Sequence, residues 1–296
     1  MGMGHPLAHS EPVAAQTFSE ADAILGFPLT RICWEGPPET LHDTEYTQPA
    51  LLTHSVAVLR TLHKHRADFV PACTAGHSLG EFSALVACGA LSFPEALRLV
   101  RARGLAMKQA GEQTPGGMAA VLGMDTPQVE AICRQTARAL GGVVQVANDN
   151  CPGQVVISGD ERCLTAAMQA LRISGARKLI RLAVSIASHS PLMTAAQSAF
   201  APIVDQAPFG DPAMPVIGNV TASPLRTAAE IRADVQAQLT SPVRWTESIR
   251  AMVSMEVDTF LELGSGSVLT GLVRRIEPEA RAHALDNLDS LAVLEI

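Results

Sequence analysis

The chain has few aromatic residues, with Phe, Trp and Tyr together making up 4% of its 296 residues, yet 47% of it is hydrophobic. Its core must therefore be mostly aliphatic, and it is large enough for one big domain or two moderate ones. No block of about five or six like charges occurs and the net charge is −7, which argues against a nucleic-acid-binding surface. No apolar run approaches the roughly 18 residues of a membrane span. The opening residues MGMGHPLAHS lack a charged segment followed by an apolar one, so no secretion signal is read there and the cytoplasm is the expected location. The cysteines at 33, 73, 88, 133, 151 and 163 form no C-x-x-C pair, in a chain far larger than disulfide-dense scaffolds, and are expected as buried thiols. His63-Lys64-His65 has no third ligand at metal spacing; it reads as a solvated helix end, and no metal is expected.

What is present alternates between short strand-like runs and longer helical patterns. Apolar spacing predicts helices over 11–26 and 48–66, separated by the turn Glu35-Gly36-Pro37-Pro38. A short apolar run, Phe69 to Ala75, leads into a glycine-flanked serine and then a helix from Glu81 to Cys88. Ser92 is placed to cap the next helix, with Glu95 at the capping-box position. The middle reads strand 117–123, helix 126–140, strands 143–147 and 155–158, helix 160–173 and strand 178–184. That β-α-β-β-α-β order is ferredoxin-like. The expected architecture is α/β: a large α/β-hydrolase-like domain with a parallel sheet, over 1–113 and 185–296, interrupted by a ferredoxin-like subdomain over 114–184. Pro215–Asn219 reads as a loop, and Thr259–Leu263 as a strand ending at Gly264-Ser265-Gly266. That Gly-x-Gly lacks the third glycine and later acid of a dinucleotide site and reads as a tight turn.

In Gly76-His77-Ser78-Leu79-Gly80, glycines two before and two after a serine suit a nucleophile elbow, where larger side chains would collide with strand or helix. Ser78 then lies at a helix N-terminus, with the Leu79 amide directed at a developing oxyanion. A serine hydroxyl needs a base. His77 adjoins Ser78 and should point away from it, while His5, His9, His42, His54, His63, His65 and His283 sit in polar or surface-like contexts. His189, just after the proposed insert, is preferred. No triad carboxylate stands out, but Arg98, Arg101 and Arg103 lie on the helix after the elbow, and one of them can face the cleft.

The stretches TQPALLTHSVA, GHSLGEFSALVACGALSF, RARGLAM, NDNCPGQVVISG, SHSPLM, QLTSPVRW and LELGSGSVLTGL occur in this order, and together they closely resemble the malonyl-CoA:acyl carrier protein transacylases of fatty acid synthesis. The resemblance implies Ser78 as the acylated nucleophile, His189 as general base and Gln238 as the residue whose main-chain carbonyl accepts from the imidazole. It also implies Arg103 as the ligand of the malonyl carboxylate, Leu79 as an oxyanion amide, and Gln48, His77 and Asn148 as residues lining or supporting the pocket. The implied activity is [acyl-carrier-protein] S-malonyltransfer by a ping-pong cycle, with coenzyme A thioester and phosphopantetheine as substrates, no cofactor, and a monomeric enzyme. The acidic carrier protein would meet a basic patch, for which Arg177 with Lys178 and Arg274 with Arg275 are candidates.

This sequence departs from the resemblance at its start. The family opens with an apolar strand and a Phe-Pro-Gly-Gln-Gly-Ser-Gln loop whose first glutamine gives a second oxyanion amide, whereas MGMGHPL resembles the residues just after that loop. The strand and loop are thus expected to be missing from the recorded chain. Ser265 and Ser267 stand where proline and lysine are common, and Ser188 before the base leaves methylmalonyl open beside malonyl. The alternatives are a trans-acting polyketide or malonate-decarboxylase acyltransferase, a serine hydrolase, and a non-catalytic carrier-protein-binding relic.

Overall fold

The structure, a computed structural model, describes residues 1–287 and 290. The first predicted helix forms as Pro12–Leu25, and the second as Thr44–His65, earlier than its apolar spacing implied because the Asp43 carboxylate caps it by accepting from the Glu45 amide. Gly36 and Pro37 separate the short helices Leu29–Glu35 and Pro38–His42. Ser92 caps as expected, its hydroxyl accepting from the Glu95 amide at 3.4 Å, and the helix it starts runs from Phe93 to Gln113. This long helix packs on Pro12–Leu25, Thr44–His65 and Thr194–Gln206. They share one aliphatic core, including Leu52, Val56, Leu97 and Val100, with Phe18, Phe82 and Phe200 among its few aromatics.

The run Phe69–Ala75 supplies only two ladder residues, Thr74–Ala75 (β1). The middle segment follows the predicted order closely: Gly116–Leu122 (β2), helix Thr126–Leu140, Val144–Cys151 (β3), Gln154–Asp160 (β4), helix Glu161–Ile173 and Lys178–Arg181 (β5). These strands form an antiparallel sheet in the order β3-β4-β2-β5, which is the ferredoxin-like arrangement. One face is packed by Val129, Cys133, Leu164, Ala167 and Leu171 from the two helices, making a core separate from the main one.

The expected loop at 215–219 contains a short strand, Val216–Ile217 (β6), because its two apolar residues pair in parallel with β1 and are buried. Pro224–Leu225 (β7) adds to β6 antiparallel. Thr259–Leu263 (β8) has the predicted bounds and pairs in parallel with Arg281–Leu285 (β9), a strand that periodicity does not predict. Parallel pairing is thus carried by two short ladders. Among the described residues β1 and β8 each have one strand partner, and both line an apolar cavity of about 660 Å³ whose walls include Phe69, Ala72, Phe260 and Leu272. No helix among the described residues is long and apolar enough to cross a membrane.

Candidate active site

The elbow forms where β1 meets the helix Gly80–Ala87. Ser78 has φ 51°, a left-handed conformation that costs a non-glycine residue on the order of 1 kcal/mol or more. Contacts over-determine it: the Ser78 amide donates to Asn219 Oδ1 at 2.7 Å, and Asn219 Nδ2 donates to the Gly76 carbonyl at 2.7 Å. Gly76 is sterically required, since a Cβ there would lie 2.0 Å from the Gly80 carbonyl. The expectation that Gly80 must also be small is corrected, because a Cβ at Gly80 meets nothing within 4 Å among the described residues. The turn is closed by backbone crossing beside Gly76, with open space over Gly80.

His189 is the histidine that reaches the serine. Its Nε2 lies 2.8 Å from Ser78 Oγ, and it too has a left-handed backbone, φ 59°. Its amide donates to the Leu239 carbonyl, and its carbonyl accepts from Gln145 Nε2 on β3, so both the large core and the four-stranded sheet hold it. Nδ1 faces the carbonyls of Gln238 at 3.0 Å and Ser241 at 3.1 Å. Carbonyls only accept, so the ring proton sits on Nδ1 and the Nε2 lone pair faces the hydroxyl. Burial, and then the nearby Arg103 charge, push the imidazole down to about 3, against the two carbonyls that favour protonation. The ring is therefore neutral and able to take a proton.

Of the three arginines, Arg98 pairs with Glu95 on the surface. Arg101 is tied to Glu45 and lies over the Phe27 and Tyr46 rings. Arg103, 2% exposed, points into the site. Its Nη2 donates to Ser78 Oγ at 3.1 Å and Gln238 Oε1 at 2.8 Å, and its Nη1 donates to Gln48 Oε1 at 2.8 Å. Burial lowers Arg103 to about 10, which still leaves it charged at neutral pH. Gln48 is fixed in turn by donating to Thr44 Oγ1 and the Met107 sulfur. The Leu79 amide, at the helix start, donates to no acceptor among the described residues and is free to meet an oxyanion.

Ser78, His189, Arg103, Gln238, Gln48 and the Leu79 amide thus come together. His77 does not join them: its Nε2 bonds Asn150 Oδ1 at 2.8 Å and its ring packs on Trp245, away from the serine. Asn148 bridges to Val243 where β3 meets the large domain, and nothing places its side chain against Ser78 or Arg103. His54, read from its context as polar or surface-like, is buried instead, bonded to Ser265 Oγ and near the Asp286 carbonyl, because its helix face turns inward. Arg274 and Arg275 are occupied by the Ala282 and Pro152 carbonyls and Gln154, which weakens them as a free docking patch.

Sequence reasoning missed Asn219, Asn150, Ser241 and Gln145, and with them the buried acids Glu81 and Asp234, whose carboxyls lie close to one another. Asn219 left no signal in a sequence that reads 215–219 as a loop; the structure places it just past the carboxyl end of β6, where α/β sheets carry functional groups.

With that geometry established, comparison with known proteins is specific. Residues 1–284 match the model of the acyl transferase domain. A malonyl CoA-acyl carrier protein transacylase of Escherichia coli O157:H7 is 40% identical over 292 residues, covering 99% of this chain and 94% of that one. One from Bacillus subtilis (strain 168) is 40% identical, covering 98% and 91%. Among solved structures, PlMCAT, a malonyl-transacylase in complex with the type II PKS acyl-carrier protein AntF, superposes with a TM-score of 0.95 at 40% identity, covering 99% of this chain and 94% of that one. The malonyl CoA-acyl carrier protein transacylase of Coxiella burnetii gives 0.95 at 37% identity, covering 99% and 92%.

Proposed function

The chain belongs to the acyl transferase domain family, and from that premise we propose that it transfers a malonyl group from malonyl-CoA to the phosphopantetheine thiol of acyl carrier protein through an ester on Ser78. The observation that carries this reading is the meeting of two groups at one oxygen. Ser78 Oγ faces a neutral imidazole nitrogen at 2.8 Å and a buried guanidinium at 3.1 Å. A base makes the hydroxyl a nucleophile, and a fixed cation beside it selects an acyl chain that ends in a carboxylate.

Each step rests on those positions. The malonyl carboxylate takes the Arg103 donors now shared among Ser78 Oγ, Gln48 and Gln238, and so fixes the thioester carbonyl over Ser78. His189 Nε2 accepts the hydroxyl proton as Oγ bonds to the carbonyl carbon, and the Leu79 amide stabilises the oxyanion. The carbon–sulfur bond breaks, and the departing coenzyme A thiolate takes the proton from Nε2. The pantetheine thiol then gives its proton to Nε2 and its sulfur attacks the ester carbonyl. Oγ leaves and recovers the proton. Every bond change is an acyl or proton transfer within this set, so the reading includes no cofactor. The Gln238 and Ser241 carbonyls do the orienting work of a triad carboxylate without adding negative charge beside an anionic substrate.

The proposal places the enzyme in the cytoplasm, with 114–184 as an inserted unit whose Gln145 steadies the base. Fatty acid and polyketide carriers both fit it. Mass measurement of the intact protein mixed with malonyl-CoA is the test: a persistent malonyl adduct absent from Ser78→Ala is expected. Rapid release of free malonate would make the protein a hydrolase, and no adduct would make it a non-catalytic binder.

A further inference from the structure

Behind the reacting groups lies a buried acid that the mechanism does not use. Glu81, in the first turn of the elbow helix, has no exposure, and Asp234 on the helix Ala228–Ala237 is 3% exposed. Glu81 Oε2 accepts from Gln238 Nε2, while Glu81 Oε1 is buried and has no partner capable of donating to it among the described residues. Asp234 is supplied with donors of its own: the amides of Val220 at 3.3 Å and Thr221 at 3.2 Å, and the Thr221 hydroxyl at 3.3 Å. These bonds let it hold the turn just after Asn219.

Two carboxyl groups brought together out of water cannot both stay ionised, and Glu81 Oε1 is the oxygen left without a donor among the described residues. A proton on Glu81 Oε1 gives that orphaned atom a role as donor to Asp234, and leaves Oε2 as a carbonyl-type acceptor for Gln238. Burial, and then the Asp234 charge, raise the Glu81 carboxyl well above the usual range, consistent with that arrangement. Gln238 is the crossing point. Its Nε2 also donates to the Ser78 carbonyl, its Oε1 accepts from Arg103, and its main-chain carbonyl holds His189.

Resting on the malonyl-transfer reading above, we propose that Glu81 is a positioning residue: a neutral carboxylic acid that donates to Asp234, fixes the Gln238 amide, and leaves the Arg103 charge uncompensated for the substrate carboxylate. An ionised Glu81 would place an anion one amide away from Arg103 and compete with the substrate for its charge. A neutral one fixes the same geometry without that competition.

Kinetics and infrared spectroscopy of the full chain test this together. Glu81→Ala leaves Gln238 and Asp234 without their partner and is expected to raise KM for malonyl-CoA about tenfold or more, with a much smaller change in acetyl transfer. Glu81→Gln presents an oxygen to Gln238 and an amide to Asp234 and is expected to restore malonyl KM to within about threefold. At neutral pH, wild type minus Glu81→Gln should show the carbonyl stretch of a protonated carboxylic acid, shifted in deuterium oxide. Absence of that band, or a folded Glu81→Gln variant no better than Glu81→Ala, would overturn the proposal. A band in a protein that forms no malonyl adduct would instead sink the malonyl reading and leave the protonation of Glu81 standing.

Discussion

The two flanks of the elbow are built to different standards. On one side Ser78, His189, Arg103, Gln238, Gln48 and Glu81 form a continuous hydrogen-bonded wall drawn from five separate segments of the chain. On the other, β1 contributes two residues to a ladder, and beyond it lies a 660 Å³ apolar cavity that also borders β8. Strands stand about 4.8 Å apart in sheets about 10 Å thick, with about 3.3 Å per residue, so this volume would hold about four residues of strand. The polar wall can bind and activate an acyl group; the cavity flank offers apolar volume beside two strands that each have one strand partner among the described residues. Activation by the wall and packing of the flank are thus physically separable.

The sharpest way to exploit that separation is to fill the apolar side. A strand-forming apolar peptide supplied in trans is expected to enter the cavity and pair with the β1 or β8 edge, raising Tm by about 5 °C or more. Thermal melts with and without the peptide would show it. If Tm does not change, the cavity does not take a strand and the comparison fails.

The polar wall is expected to fail selectively when cut. Arg103→Ala removes the charge that holds a carboxylate but leaves Ser78 and His189 in place. Malonyl transfer should fall about 10²-fold relative to acetyl transfer, corresponding to two lost charge-assisted hydrogen bonds. Equal losses on both substrates, measured as kcat/KM, would mean that Arg103 supports the elbow without selecting the substrate.

The sequence revealed these flanks unequally, for a physical reason. The helix Thr126–Leu140 and strand Thr259–Leu263 form with the bounds that periodicity and turn residues implied, because amphipathic spacing and capping are local. Ser78 announced itself through its glycines, although only Gly76 is enforced by contact. His189 and Arg103 needed ordered motifs along the whole chain, since nothing local distinguishes them from their neighbours. Glu81 was least legible: an acid in a helix's first turn ordinarily faces water, and only Gln238 and Asp234, more than 150 residues away, make it a buried acid. β9 and the cavity depend on which distant strands pair, which composition and periodicity do not encode.

The smallest expected effect separates the two flanks by acidity. His189 belongs wholly to the polar wall, where burial and the Arg103 charge hold its pKa at about 3. Its neutral form is the one that takes the serine proton, so a depressed pKa extends activity toward acid. An imidazole with the ordinary value near 6.5 would be about nine-tenths protonated at pH 5.5 and cost about tenfold in acylation rate. Here kcat/KM for acylation is expected to stay within about twofold between pH 7.5 and 5.5, provided that the fold persists. Stability works in the same direction as an ordinary buried histidine: the unfolded chain binds a proton below about 6.5 that the folded site refuses, so stability falls as pH drops from about 6.5 toward 3. Rates must therefore be read alongside melts at each pH. A tenfold fall in acylation by pH 5.5 with no loss of folded protein would show that His189 titrates as if exposed. The polar wall would then be as open to water as the cavity flank behind it.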